Sequence, residues 1–145
     1  MAQAICNARI AHYLKVPLNA LSDAGIQAIS AGISAKPGEP MTPHAGEALA
    51  RIGIENFEHR AQNLTATLAE QAEVIFCMTR KQCETVIQMF PEAKKKARCL
   101  SESGDLEDPS GGSSELFVAL ARQIQGLVHD HVDHLLGPSQ MANAG

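Results

Sequence analysis

Five consecutive apolar residues, Val74-Ile75-Phe76-Cys77-Met78, constrain this chain more than any other stretch. A run this short reads as a strand buried on both faces, and such strands belong to parallel sheets covered by helices. The flanks agree. Thr65 caps a short helix through Gln71 ahead of it. Behind it, residues 80–90 place Cys83, Val86, Ile87 and Phe90 on one side of a helix, with Pro91 beyond. Two further strands are predicted, at residues 26–31, where apolar and polar residues alternate before Gly32, and at residues 97–100.

Helices fill most of the remainder. The chain opens directly in one, with Met1, Ala4, Ile5, Ala8 and Ala11 at helical spacing and Pro17 as its stop. Thr42-Pro43 starts another, through its hydroxyl cap and a proline whose missing N–H costs nothing there. Ala45, Ala48, Leu49 and Ile52 form its apolar face. A long final helix runs to about residue 136, with Leu116, Phe117, Leu120, Ile124, Leu127, Val128 and Leu135 as its stripe. Strands alternating with helices predict an α/β sandwich around a parallel sheet. Between the last strand and the last helix, residues 101–114 carry almost nothing apolar. Loops that long are usually functional or disordered, and ligands of such sheets bind beyond the strands' carboxyl ends.

Composition narrows the classes. The 145 residues are 45% apolar and 19% charged, with a net charge of -4, which suits one ordinary globular domain. The mild acidity argues against nucleic acid or an anionic membrane as partner. No apolar run approaches a membrane span, and no export signal precedes four scattered cysteines, so a reducing cytoplasm is expected. The domain is drawn at residues 1–136, with 137–145 as a flexible tail.

Several segments, in order, resemble the low-molecular-weight protein-tyrosine-phosphatase family, which also includes thioredoxin-linked arsenate reductases. They are the opening Met-Ala-Gln-Ala helix, Ser30-Ala31-Gly32, and Pro37-Gly38-Glu39-Pro40 leading into the 43–53 helix. His59-Arg60-Ala61-Gln62, the strand end at residues 74–79, and Asp108-Pro109-Ser110-Gly111-Gly112 complete the set. The resemblance implies a three-layer α/β sandwich with a parallel, flavodoxin-like sheet. It implies hydrolysis of phosphomonoesters on protein, most readily phosphotyrosine, through a phosphocysteine and without metal or cofactor. In that family a Cys-x5-Arg-Ser/Thr loop supplies the nucleophile, and its amides and arginine hold the phosphate.

No Cys-x5-Arg occurs in this sequence, which begins one residue after that loop's expected end. The first, internal strand is expected to be absent with it, together roughly thirteen to fifteen residues. Met1 is therefore read as an internal methionine, and the chain as given is expected to be inactive.

Asp108, by itself, is the opening of a type I turn before Pro109. The resemblance makes it the general acid, and afterwards the base that activates water; Asp105 is the fallback. Ser110 stands where many relatives place an aromatic, which favours another phosphorylated side chain or a small oxyanion over phosphotyrosine. Ser30 and His59 match positions that support the phosphate loop by hydrogen bonds. Cys77 and Cys83 are core thiols on their own, or a redox pair if the protein is an arsenate reductase of this fold. The His129–His134 run supplies two ligands on one helix face, which make no complete metal site. Lys94-Lys95-Lys96 reads as a solvated turn. A non-catalytic partner-binding module, including a homodimer, is the remaining alternative.

Overall fold

Residues 2–14 fold as expected, into the opening helix of a computed structural model that describes residues 1–55, 59–109 and 111–137. The chain is α/β, and its described residues fall into two units. One comprises those of Met1–Ser30, Met41–Glu58 and Gly111–Gly145; the other, those of Ala31–Pro40 and His59–Ser110.

The first unit is helical: α1 (Ala2–Leu14), the short α2 (Leu21–Ala24), α3 (Pro43–Arg51) and α6 (Ser114–Leu135). Both α1 and α3 pack on α6. Thr42 caps α3 through its hydroxyl, which accepts from the Ala45 N–H, with Pro43 in the first turn. Ser113 caps α6 in the same way, accepting from the Leu116 N–H. The side of α6 that is buried runs Phe117, Ala121, Ile124, Val128 and Val132. Ala45 and Ala48 meet Phe117 and Ala121 there, and small side chains let the two helices approach closely. Leu116 and Leu135, expected in the stripe, are 56% and 40% exposed. Ala121 and Val132 are buried instead, Ala121 against the alanines of α3.

At the other end of α6, Asp133 forms a two-pronged pair with Arg9 of α1, at 2.6 and 3.0 Å. The guanidinium hydrogen bonds hold the Asp133 carboxyl below its ordinary pKa. The His–Asp run of α6 is thus spent partly on helix packing. Among the described residues, no three His, Cys, Asp or Glu side chains converge as metal ligands.

Residues 26–30 form no strand, contrary to their alternation. A helix holds them instead. The Asn7 side-chain amide donates to the Ala28 carbonyl at 3.0 Å and accepts from the Ala28 N–H at 2.7 Å. One turn earlier on α1, Gln3 accepts from the Ser30 hydroxyl at 2.8 Å. A strand needs a peptide ladder, and here side chains supply the partners.

The second unit contains the sheet: β1 (Ile75–Cys77) and β2 (Ala97–Cys99) pair in parallel, with Cys77 opposite Cys99. Helix α4 (Ala66–Gln71) precedes β1, and α5 (Arg80–Met89) makes the crossover. Thr65 caps α4, accepting from the Leu68 N–H. Lys96 departs from the solvated-turn expectation, since its ammonium donates to the Glu70 and Ala72 carbonyls at 3.1 and 2.8 Å. Those are the orphan acceptors at the end of α4, where a cation is favoured. Among the described residues, no helix is long and apolar enough to cross a membrane.

Candidate active site

The carboxyl end of β1 is where an α/β fold places its chemistry, and the local sequence builds a rigid junction there. Thr79 caps α5, its hydroxyl accepting from the Gln82 N–H at 3.1 Å. The Gln82 side chain reaches back and accepts from the Met78 N–H at 3.1 Å. This is a capping box displaced by one residue. Thr79-x-x-Gln82 is the sequence signal of that cap.

The polar loop after β2 returns to this junction. Leu100 first extends the ladder, donating to the Cys77 carbonyl at 2.8 Å. The chain then leaves, turns through Gly104 at φ +143°, a conformation side chains rarely adopt, and comes back. Leu106 donates to the Met78 carbonyl at 3.0 Å and buries its side chain to 4% exposure. Asp105 accepts from the Arg80 N–H at 2.8 Å. One oxygen of the exposed Asp105 carboxylate is thus tied to the start of α5. Asp108 follows two residues after the Leu106 anchor and is exposed. Ser110, the departure from the aromatic pattern, lies outside the described residues, as do residues 138–145 of the expected tail.

His59 belongs to the same unit and is half-buried. Residues 61–64 are pinned to the Gly32–Glu39 loop by peptide hydrogen bonds. They run from Gly32 N–H to Gln62, from Leu64 N–H to Gly32, from Gly38 N–H to Ala61 and from Ala61 N–H to Glu39, at 2.8–2.9 Å. Gly32 sits tightly in this arrangement: a β-carbon there would meet the Ala35 methyl at 3.0 Å. Burial, aided by the Arg60 charge, holds the His59 imidazole below its ordinary pKa. Ser30 lies in the first unit, where its hydroxyl donates to Gln3.

The structure brings together Cys77, Cys83 and Cys99, all as free thiols. Cys77 ends β1, 6% exposed, with Val86, Ala93 and the half-buried Cys83 around it. Burial, then the neighbouring Cys83 and Cys99 sulfurs, pushes the Cys77 thiol up to about 12. It stays a thiol at neutral pH, whereas nucleophilic attack requires the thiolate.

Cys77 is accordingly expected to escape iodoacetamide at pH 8 until the chain is unfolded, as read by mass spectrometry of the alkylated peptides. Its pH effect has a definite sign. The folded pKa lies above the ordinary 9.0, so its stabilisation is complete below pH 9 and lost as pH rises towards 12. The urea midpoint is expected to fall across that window and to fall less steeply in Cys77→Ala. An equal slope in the two proteins would refute this.

The chain is similar to known proteins. The family described as low molecular weight phosphotyrosine protein phosphatase matches residues 1–139. The protein-arginine-phosphatase of Geobacillus stearothermophilus is 31% identical over 109 residues, covering 72% of this chain and 73% of that protein. The probable low molecular weight protein-tyrosine-phosphatase EpsP of Ralstonia nicotianae is 38% identical over 103 residues, covering 70% and 71%. Among solved structures, a Cys-to-Ser mutant of the YwlE arginine phosphatase with a phosphorylated active site serine superposes with a TM-score of 0.81. It is 27% identical, and the match covers 94% of this chain and 87% of that one.

Proposed function

This chain belongs to the low molecular weight phosphotyrosine protein phosphatase family, and on that premise we propose that it serves to remove phosphate from phosphorylated protein side chains. The observation that carries the reading is the family match along residues 1–139, which includes the Asp108-Pro109 loop returning to the end of β1. The thiolate of the family's Cys-x5-Arg loop bonds to phosphorus, and Asp108 gives its carboxyl proton to the leaving oxygen or nitrogen as that atom's bond to phosphorus breaks. As a carboxylate it then takes a proton from the water that displaces the cysteine sulfur, and inorganic phosphate leaves. Ser30 and His59 steady the phosphate loop from outside.

The nucleophile and the phosphate-binding arginine of a Cys-x5-Arg loop are not among these 145 residues. Residues 1–145 by themselves are therefore expected to show no phosphatase activity. Ser110 offers no ring against which a phenyl group stacks, so the substrate class includes phosphoarginine, which the arginine-phosphatase relatives support. The four free thiols fit a reducing cytoplasm. Homodimerisation is read by light scattering. A redox relay through Cys77 and Cys83 fits less well, because Cys77 is buried and protonated.

The test compares residues 1–145 with a loop-bearing form, in which a family strand and Cys-x5-Arg-Ser-Pro segment is joined ahead of Met1. Substrates are p-nitrophenyl phosphate, a phosphotyrosine peptide and an arginine-phosphorylated protein. The loop-bearing form is expected to turn over at least one, and residues 1–145 none. A folded loop-bearing form inert on all three would sink the proposal, and turnover by pure 1–145 polypeptide would refute the expected inactivity of these residues alone. Cys83→Ser in the loop-bearing form is expected to leave phosphatase turnover unchanged, whereas a redox relay would stop.

A further inference from the structure

We propose that Asp105 is a positioning residue for Asp108, an inference that rests on the acid reading of Asp108 given above. Two consecutive loop residues are tied to the two residues flanking Thr79. Leu106 N–H donates to the Met78 carbonyl at 3.0 Å, and Arg80 N–H donates to the Asp105 carboxylate at 2.8 Å. One tie would leave the loop free to swivel about it. Two adjacent ties set its direction as well as its place.

Asp108 has little freedom beyond them. It is two residues past Leu106, so the chain between spans at most about 7 Å. On its other side Pro109 removes the helical region from Asp108's own backbone choices. The loop is thus anchored upstream and stiffened downstream, with the reactive carboxyl between.

The two ties differ in kind. Leu106 is a core residue, 4% exposed, and holds the loop by burial. Asp105 is exposed, so its contribution is directional. The Arg80 N–H is the first amide of α5, one of the orphan donors at a helix start, and an anionic acceptor is favoured there. Replacing Asp105 leaves the core intact and exposes that amide to water, so the fold survives while the loop's direction relaxes.

The loop-bearing form provides the test, with phenyl phosphate, whose leaving group needs a proton, against p-nitrophenyl phosphate, whose leaving group does not. Misplacing a catalytic group by an ångström costs up to about a hundredfold. Asp105→Ala is expected to lower kcat/KM on phenyl phosphate about tenfold to hundredfold, with a smaller loss in kcat/KM on p-nitrophenyl phosphate. Asp105→Asn keeps the acceptor oxygen and is expected to recover most of the loss.

If Asp108→Asn slows phenyl phosphate turnover but Asp105→Ala does not, positioning is overturned and the acid reading stands. If Asp108→Asn changes nothing, the acid reading fails and takes positioning with it. Equal losses on both substrates without rescue by Asn indicate a merely structural role and also overturn it. An independent readout uses residues 1–145 alone: 15N relaxation should show a less ordered Asp108 backbone amide in Asp105→Ala, restored in Asp105→Asn. Unchanged order overturns the proposal without any activity measurement.

Discussion

Asp108→Asn in the loop-bearing form is expected to lower kcat/KM on a phenolic phosphate about 10²–10⁴-fold, the usual worth of a positioned general acid. That factor corresponds to roughly 3–5 kcal/mol of barrier. Asparagine keeps the shape of the side chain and its carbonyl acceptor, but has no acidic proton to give. A phenolate whose conjugate acid has a pKa near 10 departs poorly without one. The loss should therefore grow with leaving-group basicity, steep for phenyl phosphate and shallow for p-nitrophenyl phosphate. Binding of the intact substrate should change little, because the acid acts on an atom that becomes basic only as its bond breaks. In kcat/KM, which ends at departure of the leaving group, a loss of equal size for both leaving groups would assign Asp108 to binding or folding.

Leu49→Ala is expected to be the most damaging of the simple core substitutions in the helical unit. Leu49 is 1% exposed on α3, and with Ile5 it is one of the two largest fully buried side chains. Truncation of a buried leucine costs about 2–5 kcal/mol, because the lost transfer energy is compounded by the cavity left behind. For a chain of this size the thermal midpoint should fall by roughly 6–15 °C. Leu116→Ala supplies the contrast. Both leucines lie on faces that read as apolar in sequence, but Leu116 is 56% exposed, so its loss should stay within about 0.5 kcal/mol. Differential scanning calorimetry separates the two outcomes. Similar midpoints for the two variants would mean that the packing described for α3 is wrong.

Elements whose signals are local were legible in the sequence. Thr42-Pro43, Thr65 and the Val74–Met78 run each carry their own chemistry, and α3, α4 and β1 start where those residues predict. What failed depends on partners. Residues 26–31 alternate like a strand, but alternation reports only which side is apolar, and strand identity comes from a neighbouring peptide ladder. The face of α6 was read from the large residues, so Leu116 was included and Ala121 omitted, because an alanine at 0% exposure has no hydrophobic weight until its partner helix is known.

The candidate site divides in the same way. Asp108 was recognised only through resemblance, since an Asp-Pro pair is by itself a turn. The tie from Asp105 to Arg80 spans 25 residues and depends on a loop returning to a helix start, which no pattern of spacing reveals.

The clasp of Ala28 by Asn7 has one more consequence. An alternating segment has parity: a slip of one residue exchanges every inward side chain for an outward one. A single amide that engages both the N–H and the carbonyl of one residue reads out that parity, and the Gln3–Ser30 bond repeats the reading two residues later, on the same parity. Gln3 and Asn7 are one helical turn apart, so α1 acts as a ruler with two marks, and it specifies the direction of the segment as well as its phase. Asn7 and Gln3 together thereby favour Ser30 over Ile29 on the side that faces α1.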